Sequence, residues 1–203
     1  MSSIFPIFGC GLLCLAVAAK AFRLRQYSMK GRIATMLAAA VAVFAPFGDL
    51  SAAAHVRGIT GDPSITTLVL ACAACGAQLS GRSPIGPCDL RALHWLAACA
   101  ALFLYPFALG WTPFDSYALG YGSIGFVAGL LLVALAAWRL RMNLVVLAVT
   151  AAAFAFLFGA YESRNLWDYL IDPLVALYAA ICLLSWALRP RTGDVENAKT
   201  GAA

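Results

Sequence analysis

Apolar residues dominate seven stretches of the chain: residues 4–22, 33–54, 64–79, 92–111, 120–138, 142–160 and 173–188. The runs are continuous and do not alternate with period two, so they do not read as strands of a membrane β-barrel. Each approaches the roughly 20 residues that a helix needs to cross a hydrocarbon core of about 30 Å. The second run is interrupted late by Pro46, Gly48 and Asp49, and the third is the weakest, short and carrying Thr66, Thr67 and Gln78. The longest connection, 54–63, is too short to hold a domain. The pattern therefore predicts an all-α, polytopic membrane bundle of seven transmembrane helices over residues 1–188, followed by a short polar tail at 189–203.

Composition agrees with the pattern. With 63% hydrophobic and 11% charged residues and a mean hydropathy of +0.86, the chain has too little polar surface for a water-soluble domain. Function through a nucleic-acid partner is excluded on the same grounds, and the partners expected are the lipid bilayer and another integral membrane protein.

Charge orients the seven spans. With the N-terminus outside, the cytoplasmic side holds twelve of the fourteen basic residues: Lys20, Arg23, Arg25, Lys30, Arg32, Arg82, Arg91, Arg139, Arg141, Arg189, Arg191 and Lys199. Only Arg57 and Arg164 fall outside, as the positive-inside rule requires of an N-out, C-in protein. Six acids, Asp49, Asp62, Asp115, Glu162, Asp168 and Asp172, sort to the outer rim, and Asp89, Asp194 and Glu196 sort inside. Two bases against six acids leave −4 outside, twelve against three leave +9 inside, and together they make the net +5. The basicity thus follows from topology and calls for no anionic macromolecule. The start of the chain lacks a positive n-region, so it reads as a first span and not as a cleavable signal peptide. Eleven arginines against three lysines, with abundant alanine, suggest a GC-rich bacterial genome and hence the inner membrane.

Several motifs invite chemistry and read better as packing. Cys10 and Cys14, and Cys72 and Cys75, lie within apolar spans, where cysteine serves as a small close-packing residue. No histidine or carboxylate lies at the same depth to complete a metal set, so neither metal nor cofactor is expected. Gly120, Gly122 and Gly125 match the spacing of a dinucleotide loop but lack its strand–turn–helix context. Gly125 and Gly129, with Gly122 behind them, instead predict a close helix crossing. A retinal protein needs a lysine in its last span, and residues 173–188 contain none. His94, at the inner start of the fourth span, reads as structural.

The outer rim is where chemistry remains. Asp49 follows Ile33 by 16 residues, about 24 Å along a helix, so it sits within the lipid if that helix continues, and His55 and Arg57 then converge with it. The alternative ends the span at Phe47 and makes Gly48-Asp49 a solvated turn. Asp172 before Pro173 is suited to cap the last helix. Leu166, Trp167, Tyr169, Leu170 and Ile171 read as a short interfacial segment in the aromatic belt, beside Trp111, Phe114, Tyr117 and Tyr121. The candidate polar site therefore comprises Asp49, His55, Arg57, Asp115, Glu162, Arg164, Asp168 and Asp172, with Arg57 and Arg164 as phosphate binders. No nucleophile or zinc motif accompanies it. The absence of such motifs favours an accessory or assembly subunit of a larger envelope enzyme or transport system. An envelope enzyme or lipid-headgroup-binding protein using the rim is the alternative, and a transporter, lacking mid-depth charge or inverted repeats, comes last.

Overall fold

Five helices begin where a side-chain oxygen can accept an amide hydrogen left over by the first turn. Ser28 accepts from Gly31, Ser51 from Ala54, Ser64 from Thr67, Ser123 from Phe126 and Asp172 from Val175. The computed structural model describes residues 4–83, 85–111 and 113–189. Among these, the helices are α1 (Ile4–Ala21), α2 (Met29–Phe44), α3 (Ala52–Thr60), α4 (Ile65–Ser80), α5 (Pro87–Ala108), α6 (Ile124–Arg139), α7 (Asn143–Leu157), α8 (Trp167–Leu170) and α9 (Pro173–Ala187). The only strands described are β1 (Pro46–Phe47) and β2 (Leu50–Ser51). The polar tail read over 189–203 lies outside the described residues apart from Arg189.

The all-α expectation is met, and each of the seven apolar stretches contains one long helix. Two of them, α1 with 18 residues and α5 with 22, are long and apolar enough to cross a membrane. Four further apolar helices, α4, α6, α7 and α9, have 15 or 16 residues, which is about 22 to 24 Å of rise.

The second stretch departs from expectation. Its helix stops at Phe44 instead of running on to about residue 54, because Ala45 precedes Pro46 and is driven to an extended ψ of 138°. A two-residue hairpin follows, with Pro46 paired to Ser51 and Phe47 to Leu50. Gly48 supplies the positive φ of 73° at the first turn position. Asp49 is thus an exposed turn residue and not an acid within a helix.

The helices pack around three linked cores and a smaller fourth, in which Ala16 of α1 meets Ala71 and Cys75 of α4. One joins Leu93 of α5, Ala134 and Ala137 of α6, and Leu144, Val145, Ala148 and Val149 of α7. A second joins Ala97 and Leu104 of α5 to Val175 and Ala179 of α9, and a third joins Ile65 of α4 to Ala152 of α7. The segment 158–172 enters both of the latter, Trp167 and Ile171 on one side and Leu166 and Tyr169 on the other. This corrects the aromatic-belt reading: Trp167 is 5% exposed and Tyr169 is 0% exposed, so they are core residues of an inward-folded strap. Trp111, Phe114 and Tyr121 do remain exposed.

The expected glycine crossing is also corrected. Gly122 lies in the turn before α6 with φ 98°, Gly125 and Gly129 are exposed, and a Cβ on Gly129 meets nothing within 4 Å. The close approach belongs to α1, where a Cβ on Gly11 would sit 2.1 Å from the Phe44 ring and one on Gly9 3.1 Å from Leu68 and Pro63. All seven cysteines are free thiols, Cys10 and Cys75 buried and Cys72, Cys88 and Cys99 exposed.

Candidate functional site

Chain reversals at one end of the bundle bring four separate segments together. Gly61, with φ 76°, ends α3 and turns the chain so that Arg57 and Asp62 face one another. The Arg57 Nε donates to Asp62 Oδ1 at 2.6 Å. Asp62 leads directly into Pro63 and the start of α4. The Tyr161 hydroxyl donates to the Pro63 carbonyl, and the Tyr161 ring packs on Phe5 of α1 with centroids 5.5 Å apart.

Asp172 ties this corner to the last helix. Its Oδ1 accepts from Val175 N at 2.7 Å, capping α9 as expected, while Oδ2 accepts from Ser64 N at 2.6 Å and from Thr67 Oγ1 at 2.7 Å. One carboxylate therefore serves the starts of two helices at once, and with 7% exposure it has the multiple hydrogen bonds that a buried charge requires.

The strap is pinned by side-chain to backbone bonds. Asn165 Nδ2 donates to the Tyr117 carbonyl at 2.8 Å, Asn165 Oδ1 accepts from Trp167 N at 2.9 Å, and Trp167 Nε1 donates to the Ser116 carbonyl at 3.0 Å. Leu166 N donates to the Gly120 carbonyl at 2.9 Å. Gly120 must be glycine here, since a Cβ would fall 1.7 Å from Asn165 Oδ1. The buried Tyr169 hydroxyl accepts from Tyr161 N and lies 3.1 Å from the carbonyls of Tyr161 and Ser163.

Between these parts lies a cavity of about 900 Å³. Its polar lining includes Arg57, Asp62, Tyr105, Tyr117, Tyr161, Ser163, Asp168 and Asp172, and Ile7, Leu50, Leu104 and Ile171 supply apolar wall. Asp168 accepts from the Tyr117 hydroxyl at 3.0 Å and from Ser163 Oγ. One arginine against three aspartates makes the lining net negative.

The electrostatics follow from these contacts. The hydrogen bond to Asp62 raises the pKa of Arg57 above its ordinary value, and the nearby charge of Glu162 adds to it. Burial raises the Tyr117 hydroxyl well above its ordinary value of 10.0, and the hydrogen bond to Asp168 raises it further. Burial likewise raises Tyr161, with the charges of Asp62 and Asp172 adding, and burial raises Tyr169. All three phenols are therefore neutral hydrogen-bonding groups at physiological pH.

Of the eight residues expected from sequence, three line the cavity: Arg57, Asp168 and Asp172. Asp49 sits on the hairpin turn and is not among the lining residues. His55 is exposed on α3, its Nδ1 2.9 Å from the carbonyl of Ser51, the residue that caps that helix. Asp115 is exposed and caps the turn at Tyr117–Gly120, accepting from Tyr117 N at 2.9 Å and Ala118 N at 3.3 Å. Glu162 and Arg164 are exposed on the strap outside the lining. Of the two arginines expected as phosphate binders, Arg57 lines the cavity paired with Asp62, and Arg164 is exposed on the strap outside the lining.

Asp62, Ser163 and Tyr105 join the cavity without having been singled out. Asp62 was legible, since it follows Arg57 by five residues across Gly61. Tyr105 was not, because its place depends on how α5 packs. Among the described residues no group of three His, Cys, Asp or Glu side chains could hold a metal ion. The class defined by fold and site is an all-helical chain with an acidic, tyrosine-lined cavity at one end. Comparison with protein-family models, with curated proteins and with solved structures finds no match.

Proposed function

We propose that the chain is a multi-pass protein of the bacterial inner membrane, N-terminus outside, whose seven long helices cross the bilayer. Its working surface is then the acidic-end cavity, open to the outer leaflet. Support for the membrane setting comes from the sides of the bundle. Leu37, Val41, Leu131, Leu132, Leu157 and Leu177 are each at least 60% exposed, an apolar surface that water disfavours and lipid accepts. The 15- and 16-residue helices are completed by their turns and by local thinning of the bilayer, at fractions of a kcal/mol per Å of mismatch.

The observation that carries the site is the cavity itself. At about 900 Å³ it falls within the size range of small-molecule pockets, and it offers a guanidinium, three phenols, a hydroxyl and carboxylates on one apolar wall. That combination suits the polar part of an amphiphile or a small zwitterionic solute. Binding is the reading these groups support, since the lining carboxylates and phenols are engaged with one another and with backbone groups, as in Asp62 with Arg57 and Asp168 with Tyr117 and Ser163.

A second reading, the accessory subunit, draws on a different feature: the exposed Gly125 and Gly129 on α6, which leave room for another protein's helix to approach closely. Complementation of a gene deletion separates the two. The cavity reading expects Arg57→Ala and Asp168→Asn to lose function at normal membrane levels, while Asp49→Asn, Arg164→Ala and Gly129→Leu retain it. Loss only in Gly129→Leu would establish the accessory role instead.

A further inference from the structure

At the end of the bundle away from the acidic cavity, the start of α5 lies against the end of α9. The Arg91 guanidinium carbon sits 4.4 Å over the Trp186 ring, and the His94 ring meets Tyr178 at 5.3 Å and 83°, edge to face. A second cavity, of about 190 Å³, opens there, lined by Arg91, His94, Leu183, Ser185, Trp186 and Arg189 among others. Its described lining contains two arginines and no carboxylate. The nearby acid, Asp89, is turned to another task, accepting from Leu144 N with both oxygens at 3.1 Å. The positive end of the α5 dipole adds to the same field.

A separate observation also points to a missing partner. His94 is 6% exposed, and its Nε2 is buried with no hydrogen-bond partner. A buried polar atom without a partner costs about 1–3 kcal/mol, so native proteins leave few of them, and an orphan beside a positive cavity marks a place for an acceptor.

We propose that this cavity is a phosphate site. Arg91 and Arg189 supply charge-assisted hydrogen bonds, and a turn of the His94 ring, a lining residue, brings the buried Nε2 to the anion as a donor in the tautomer that carries its proton there. Trp186 takes the face of the Arg91 guanidinium and leaves its N–H edge for the anion. Leu183, Leu90 and Pro87 on the same lining suit the glycerol and first methylenes of a phospholipid. A lipid headgroup and free phosphate present the same chemistry. The site shares no lining residue with the acidic cavity and does not depend on that cavity's role.

The test uses the full chain in two arms. In the first, protein released from phosphatidylcholine nanodiscs containing phosphatidylglycerol is examined by native mass spectrometry for retained lipid. In the second, thermal unfolding in neutral detergent is followed with inorganic phosphate against chloride at equal ionic strength. The wild type is expected to retain phosphatidylglycerol over phosphatidylcholine, whose choline cation is repelled by a lining with two arginines and no carboxylate, or to gain Tm with phosphate, and the arm that responds names the source. Arg189→Gln lowers the response about fivefold and Arg91→Gln with Arg189→Gln about thirtyfold, at about one headgroup charge each. His94→Phe, which keeps the ring and removes Nε2, lowers it as well. Arg189 is exposed, so its single variant reports even where the double variant fails to fold. Equal retention of both lipids with no phosphate effect on Tm, or a response unchanged in Arg189→Gln, overturns the proposal.

Discussion

The two ends of the bundle use their few polar side chains in opposite ways. At the acidic end the carboxylates and tyrosines bond to groups far away in the chain. Asp172 holds Ser64 and Thr67, Tyr161 holds Pro63, Thr66 Oγ1 holds the Leu170 carbonyl at 2.6 Å, and Asp168 holds Tyr117. At the basic end most bonds are local and exposed, as in Arg32 donating to the carbonyls of Tyr27 and Arg25, both at 2.9 Å. The exceptions there are the single bond from Arg32 to the Leu79 carbonyl at 3.2 Å and the Asp89 cap on α7. The difference shows where tertiary specificity resides. Apolar helix faces rich in Ala, Val and Leu pack in many near-equivalent ways, whereas a buried carboxylate with three donors accepts only one arrangement.

Substitutions that attack this contrast should rank accordingly. The largest effect is expected from Asp172→Ala, which strands the amides of Ser64 and Val175 and the Thr67 hydroxyl in a buried site. Thermal or denaturant unfolding should register a loss of about 3–5 kcal/mol, and Asp172→Asn, which keeps one acceptor oxygen, should lose less.

Next comes Gly120→Ala. The added methyl collides with Asn165, which must leave its bonds to Tyr117 and Trp167, and a loss of about 2–3 kcal/mol with a red-shifted tryptophan emission is expected. Gly129→Ala, on the open face of α6, should instead be neutral or stabilise by up to about 1 kcal/mol. Equal losses in the two glycine variants would break the comparison between strap and α6.

Arg32→Ala tests the basic end, where three partly exposed donors are lost and about 1 kcal/mol is expected. A loss as large as that of Asp172→Ala would erase the distinction between the ends.

The pH dependence has the smallest effect under ordinary conditions and its sign is definite. Tyr117, Tyr161 and Tyr169 all have folded pKa values raised above the ordinary 10.0. Their contribution is fully present below about pH 10 and is lost as pH rises above it, because the unfolded chain releases those protons first. Tm should therefore be flat on this account through neutral pH and fall in strong alkali. Tyr161→Phe should flatten that fall, and an unchanged alkaline slope would remove Tyr161 from the account.

Helix placement was legible in the sequence to within a few residues, because continuous apolar runs and their Ser, Asp and Pro caps are local signals. Pro46 shows what local reading undervalues: the residue before it left the helix, and the apolar stretch continued as a hairpin and a short helix. The strap shows the opposite failure. Leu166, Trp167, Tyr169 and Ile171 have the composition of an interfacial belt, and only the hydrogen bonds of Asn165 and Trp167 to residues 116–120 turn them inward.

What the amino-acid sequence determined by itself is the all-helical character and the approximate positions of the seven long helices, each a property of neighbours along the chain. The cavity, by contrast, exists only because α3, the turn before α6, the strap and the start of α9 meet in space. Which acids cap helices, which line the space and which face outward is decided by those meetings. Apolar patterning specifies that a face is buried but not against what, and the choice among partners falls to the buried hydrogen bonds and close glycine contacts that only the folded chain brings together.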